Sequence, residues 1–99
     1  MKALTEEEIQ ENLKHLPHWG HKDNCLMSSF QFADFKEAFS AMTRIAFECE
    51  KIGHYPKWTN TFNTLLVSIQ TPSVKAVTLN DFALAERIEH CVSVPGGAA

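Results

Sequence analysis

The run Glu50-Lys51-Ile52-Gly53-His54-Tyr55-Pro56-Lys57-Trp58 marks the change from a long helical pattern to two short strand-like ones. Gly53 can supply the left-handed conformation that ends a helix, and Pro56 cannot extend one. His54 and Tyr55 therefore fall on a tight turn between the two regimes. An imidazole held there is the best candidate in the chain for proton transfer near neutral pH. Taken alone, the turn fits better with a surface histidine beside a helix stop.

Upstream of the turn, Phe35, Ala38, Phe39, Met42, Ile45, Ala46, Cys49 and Ile52 recur at helical period. The spacing predicts a helix from Asp34, its N-cap, to Ile52, with the Phe and Met stripe in the core. Lys36, Glu37, Arg44, Glu48 and Lys51 would take the other face. Downstream, Thr59–Phe62 and Leu65–Thr71 flank Asn63-Thr64 as two strands joined by a short turn would. Leu65, Val67 and Ile69 would share a buried face, leaving Leu66, Ser68 and Gln70 on a mostly polar one that could also serve an oligomer.

Toward the N-terminus, Thr5-Glu6-Glu7-Glu8 has the form of a capping box, and Ile9, Leu13 and Leu16 extend it into a helix over about 5–16 that Pro17 stops. His18 to Asn24 reads as an extended piece ending in turn chemistry, and with Cys25–Phe32 it predicts a hairpin. His15, His18 and His21 stand three apart, but Pro17 and Gly20 break any helix that would gather them on a metal, so they read as solvated. At the other end a helix should start near Thr78 as N-cap, with Phe82, Ala85, Ile88 and Val92 inward. Asp81 would sit at its third position, where a negative charge suits the helix terminus; that alone explains it structurally. Residues 95–99 read as a flexible tail.

The order is helix, strand, strand, helix, strand, strand, helix. It predicts an α+β fold: a single antiparallel four-stranded sheet covered on one face by three helices, as one domain over residues 1–99. With 99 residues, 44% of them hydrophobic, there is apolar surface for one core and one site. The net charge of -3, with nine Lys and Arg spread thinly, argues against a nucleic-acid-binding face. Cys25, Cys49 and Cys91 are odd in number, lack a Cys-x-x-Cys pair and have no histidine at ligand spacing. They read as core residues of a reducing compartment, with no metal site. No apolar run approaches a signal or membrane span, so a soluble cytoplasmic chain is expected.

Three stretches together resemble the pterin-4a-carbinolamine dehydratase family, whose vertebrate members also act as the dimerisation cofactor of a homeodomain transcription factor. They are Phe30-Gln31-Phe32-Ala33-Asp34-Phe35 with Ala38-Phe39 and Met42-Thr43-Arg44; Glu50-Lys51 with His54, Pro56 and Trp58; and Thr78 through Asp81-Phe82-Ala83-Leu84-Ala85. The resemblance covers most of the chain. It implies removal of water from 4a-hydroxytetrahydropterin to give the quinonoid dihydropterin, with no metal or organic cofactor. One group would protonate the departing hydroxyl and another would take the proton from the neighbouring ring nitrogen. It also implies a pterin substrate and a homo-oligomer, with dimers pairing sheet edges and tetramers packing the long helices.

By position the resemblance implies His54 as the principal acid or base, Glu50 as an orienting carboxylate one helical turn earlier, and Asp81 as the residue that tunes the histidine or fixes its loop. Tyr55 and Pro56 would adjoin the substrate, and the backbone of Thr71, Pro72, Ser73 and Val74 would line the pocket. Two positions depart from the family pattern. Tyr55 stands where most members have the second histidine of the turn, and Pro72 where they have a catalytic histidine after Thr71. Proline offers neither a side-chain proton nor a backbone donor, and a phenol with an ordinary pKa of about 10 is a poor base at neutral pH. Two functions stay open: a dehydratase in which His54 carries most of the proton traffic, and a catalytically degenerate member acting as a protein-binding, assembly or dimerisation factor, resembling the carboxysome Rubisco assembly factors.

Overall fold

The computed structural model describes residues 2–93, and its elements follow in the order α1 (Glu6–Leu13), β1 (Gly20–Lys22), β2 (Cys25–Gln31), α2 (Phe35–Ile52), β3 (Lys57–Thr61), β4 (Thr64–Ile69) and α3 (Leu79–Ser93). The sheet is antiparallel throughout, in the order β1-β2-β4-β3. Strand alternation sets its two faces. Leu26, Leu65, Val67 and Ile69 are buried and form one core with Ile45 of α2 and Phe82, Leu84 and Ile88 of α3. Met27, Ser29 and Leu66 point the other way and are exposed. This is the expected α+β architecture. Among the described residues no helix is long and apolar enough to cross a membrane.

Local chemistry explains most of the boundaries. Thr5 and Glu8 close a reciprocal capping box at α1, through bonds of 3.1 and 2.8 Å. The helix stops at Leu13, short of the expected Leu16, because the amides of Lys14, His15 and Leu16 turn to carbonyls three residues back, a tightening that swings Leu16 into the core. Asp23 and Asn24 both take left-handed φ (54° and 61°), which a two-residue type I′ hairpin between β1 and β2 requires. The β3–β4 turn falls on Phe62-Asn63, one residue before the expected Asn63-Thr64. Thr64 pairs with Thr61, and Asn63 is tied to Phe32 by bonds in both directions. The expected tail at 95–99 lies outside the described residues.

The long helix departs from its expected packing. Its buried face is narrow: Ala38, Ala41, Ile45 and Cys49. Phe35, Phe39 and Phe47 are 51%, 56% and 67% exposed, and Ala46 is exposed as well. Two alanines seat the helix close to the layer beneath, so the large rings on the adjoining stripe are carried clear of the core. His21 also differs from the solvated reading. Its side chain is mostly covered, 3.2 Å from Glu6, whereas His18 is exposed and 3.6 Å from Glu89.

Candidate active site

The corner after α2 forms as its residues dictate. Gly53 adopts the left-handed conformation (φ 67°, ψ 35°), and its amide and that of His54 both donate to the Cys49 carbonyl, at 2.8 and 3.2 Å. Pro56 then leads into β3, which begins at Lys57. The two side chains on the corner face different elements. His54 reaches α3, with Nε2 2.6 Å from Asp81 Oδ1, while the Tyr55 hydroxyl turns back to α2 and donates to Glu50 Oε2 at 2.8 Å.

Asp81 is fully buried, with no Lys or Arg side chain among its bonded partners. It is held by donors. Oδ2 accepts from the Thr78 amide at 2.7 Å and the Thr71 hydroxyl at 2.8 Å, and the Thr78 hydroxyl stands 3.3 Å away. A carboxylate so placed, in the first turn of α3, is stabilised by hydrogen bonds and by the helix terminus. Oδ1 is left for the imidazole. The network therefore assigns the ring proton to Nε2 and leaves the lone pair on Nδ1. Nδ1 bonds no other described residue. His54 itself is only 8% exposed. The result is a shielded imidazole, oriented from one side by a carboxylate.

Glu50 does not take the orienting place that its spacing suggested. Asp81, 27 residues further on, orients His54, and Glu50 serves Tyr55. Bonding to that carboxylate and its charge push the Tyr55 phenol above the ordinary tyrosine range, so the hydroxyl is a donor at neutral pH. Ala46, Cys49, Glu50, Tyr55, Pro56 and Trp58 line a cleft of about 270 Å³ at this corner. Thr71 is buried against Asp81, while Pro72, Ser73 and Val74 lie exposed on a turn closed by the Thr71–Ala76 bridge. Thr78, legible in the sequence as a helix cap, is also a donor to Asp81. Trp58 stood in the motif that carries the resemblance, whereas Ala46 and Cys49 read only as helix core and not as cleft walls. Among the described residues no three His, Cys, Asp or Glu side chains are grouped as a metal site requires.

The sequence profile of the family described as pterin 4 alpha carbinolamine dehydratase matches residues 2–91. The chain belongs to that family. A Christiangramia forsetii protein named for pterin-4-alpha-carbinolamine dehydratases is 49% identical over 92 residues, 93% of this chain and 95% of its own. One of Prochlorococcus marinus, named likewise, is 38% identical over 88 residues, 89% and 92% of the two chains. The crystal structure of a transcriptional coactivator/pterin dehydratase from Brucella melitensis has a TM-score of 0.90 at 34% identity, covering 93% of this chain and all of that one. A pterin dehydratase-like protein identified as a RuBisCO assembly factor of the alpha-carboxysome shares the fold alone, with a TM-score of 0.64 at 14% identity over 78% and 89% of the chains. Within this pterin dehydratase fold, the His54–Asp81 couple and the Glu50–Tyr55 couple occupy the corner between α2 and β3.

Proposed function

We propose that the chain dehydrates a 4a-hydroxytetrahydropterin to the quinonoid dihydropterin, with His54 as its acid–base residue. Family membership supports the reaction class, and the single observation carrying the residue assignment is the buried His54–Asp81 bond of 2.6 Å, which leaves Nδ1 as the ring nitrogen that Asp81 does not engage. In the reaction the N5–H and C4a–O bonds break, a C4a=N5 double bond forms, and the proton and hydroxide leave together as water. No net proton is consumed. Nδ1 can therefore take the N5 proton and, as the imidazolium stabilised by Asp81, return it to the departing hydroxyl. One ring serves both steps, which suits a chain with Tyr55 and Pro72 where the resemblance places histidines.

Turnover of the carbinolamine tests this reading against the uncatalysed reaction. The wild type is expected to exceed the spontaneous rate, and His54→Ala to lose about 10²- to 10⁴-fold of the acceleration, the usual share of one general acid–base group. A wild type no faster than the spontaneous reaction would sink the enzyme reading; an equally fast alanine variant would sink the assignment of His54. The second reading, a protein-binding or assembly factor, draws on the exposed Phe35, Phe39 and Phe47 of α2. It becomes the better account in the first of those outcomes.

A further inference from the structure

Behind Asp81 a line of hydroxyls reaches the N-terminus of α3. Thr71 Oγ1 stands 2.8 Å from Asp81 Oδ2 and 2.7 Å from Thr78 Oγ1, and the Asn80 amide donates to Thr78 Oγ1 at 3.2 Å. Thr71, Thr78, Asp81 and His54 are all buried, where made links are strong and unmade ones costly. Each hydroxyl has a single proton to give. The charge-assisted bond claims that of Thr71 for Asp81, because the Thr78 hydroxyl stands farther from the carboxylate, at 3.3 Å. Thr71 Oγ1 then accepts from Thr78, and the donors run one way: Asn80 amide, Thr78 hydroxyl, Thr71 hydroxyl, Asp81, with the imidazole on the other carboxylate oxygen. Resting on the dehydratase reading above, we infer that Thr71 is a positioning residue of the site, which holds Asp81 as an acceptor turned to His54 and so keeps the imidazole proton on Nε2.

The tautomer depends on what Asp81 offers. As a carboxylate it accepts from Nε2–H; as a carboxylic acid it would donate to Nε2 and drive the ring proton to Nδ1, the nitrogen that the proposed reaction needs as base. Hydrogen bonds to a carboxylate favour its ionised form. Of the donors to Oδ2, the Thr78 amide belongs to the backbone of α3's own first turn, and Thr71 supplies the shortest side-chain link. Thr71 comes from the far end of β4, so it also fixes the carboxylate against rotation from a different element. The same residue clamps the turn that follows it. Its amide donates to the Ala76 carbonyl at 3.0 Å, and its carbonyl accepts from the Val74 and Lys75 amides at 3.3 and 2.8 Å. One residue thus ties the exposed turn carrying Pro72 to the carboxylate that orients His54.

Nitrogen NMR of histidine-labelled protein separates this role from a merely structural one, because protonated and bare ring nitrogens resonate far apart. The His54→Ala spectrum identifies the His54 signals. In its neutral ring the wild type should carry the proton on Nε2. Thr71→Val, which keeps nearly the same shape and removes the hydroxyl, should move a measurable share of that proton to Nδ1. It should also lower kcat about 10- to 100-fold, the cost of one hydrogen bond to a charged group, with a smaller change in KM. Thr71→Ser returns the hydroxyl and should restore both. Thr78→Val breaks the chain one link further back and should shift the tautomer the same way by less, since the Thr78 amide still serves Asp81. A ring proton still wholly on Nε2 in Thr71→Val, or in Thr78→Val should the first variant not fold, would overturn the inference. So would a serine variant no better than the valine one. A wild type without acceleration would remove the dehydratase reading alone, since the tautomer series needs no turnover.

Discussion

At the scale of single residues, burial rather than pairing governs the thiols. Cys49 and Cys91 are both buried, and burial pushes the Cys49 thiol up from 9.0 to about 11, with Cys91 shifted in the same direction. A folded thiol that binds its proton more tightly than the unfolded one adds stability that is complete below about pH 9 and disappears as the pH climbs toward about 11. The Cys49 share is on the order of 2 kcal/mol. Urea unfolding should therefore show the protein losing stability over that alkaline window, and Cys49→Ala, whatever its offset at pH 7, should flatten the slope; a parallel slope in the variant would refute the assignment. The sequence made Cys49 legible as a core residue by its place in a helical stripe. Spacing alone could not pair His54 with Asp81, a link that only the resemblance implied, because their bond depends on how α2 and α3 pack.

Among the elements, the strongly punctuated ones were legible and the weakly punctuated ones were not. Asp34 and Gly53 bracket α2 as a cap and a left-handed stop, and the alternation of Leu65, Val67 and Ile69 fixed the buried face of β4. The β3–β4 turn escaped because its first residue is Phe62, at φ 52°, a conformation no sequence rule assigns to phenylalanine. The cross-strand pairing of Thr61 with Thr64 and the bonds between Asn63 and Phe32 impose it. Since Phe62 is 64% exposed, its ring offers little burial in return for that strain. Phe62→Gly should accordingly stabilise the fold by roughly 0.5–1 kcal/mol, despite the greater freedom of glycine in the unfolded chain. A shift of the urea midpoint to lower concentration would show that the ring is held by contacts that outweigh the backbone strain.

Over the whole molecule, the misreading of α2 becomes informative. A core stripe was expected because Phe35 and Phe39 recur with the buried Ala38, Ile45 and Cys49, and period alone cannot tell a wide buried face from a narrow one with aromatic residues beside it. A chain with net charge of only -3 that leaves Phe35, Phe39 and Phe47 exposed along one helix carries an apolar surface of the kind that marks association. The resemblance implied packing of the long helices between copies, and the second reading of function would use the same rings against a different protein. Phe39→Glu combined with Phe47→Glu separates these from a bare exposed patch. Both side chains are more than half exposed, so the double variant should keep the unfolding profile of the wild type to within about 0.5 kcal/mol per site, as surface changes do. Light scattering coupled to gel filtration should show the wild type as an oligomer and the double variant falling to a smaller species, because two new carboxylates per copy would be buried unpaired at a helix–helix interface. A wild type that elutes as a monomer would refute self-association through α2. Unchanged mass in the variant would move the contact to the other candidate, the exposed edge of β3, whose ladder groups face no neighbour within the four-stranded sheet.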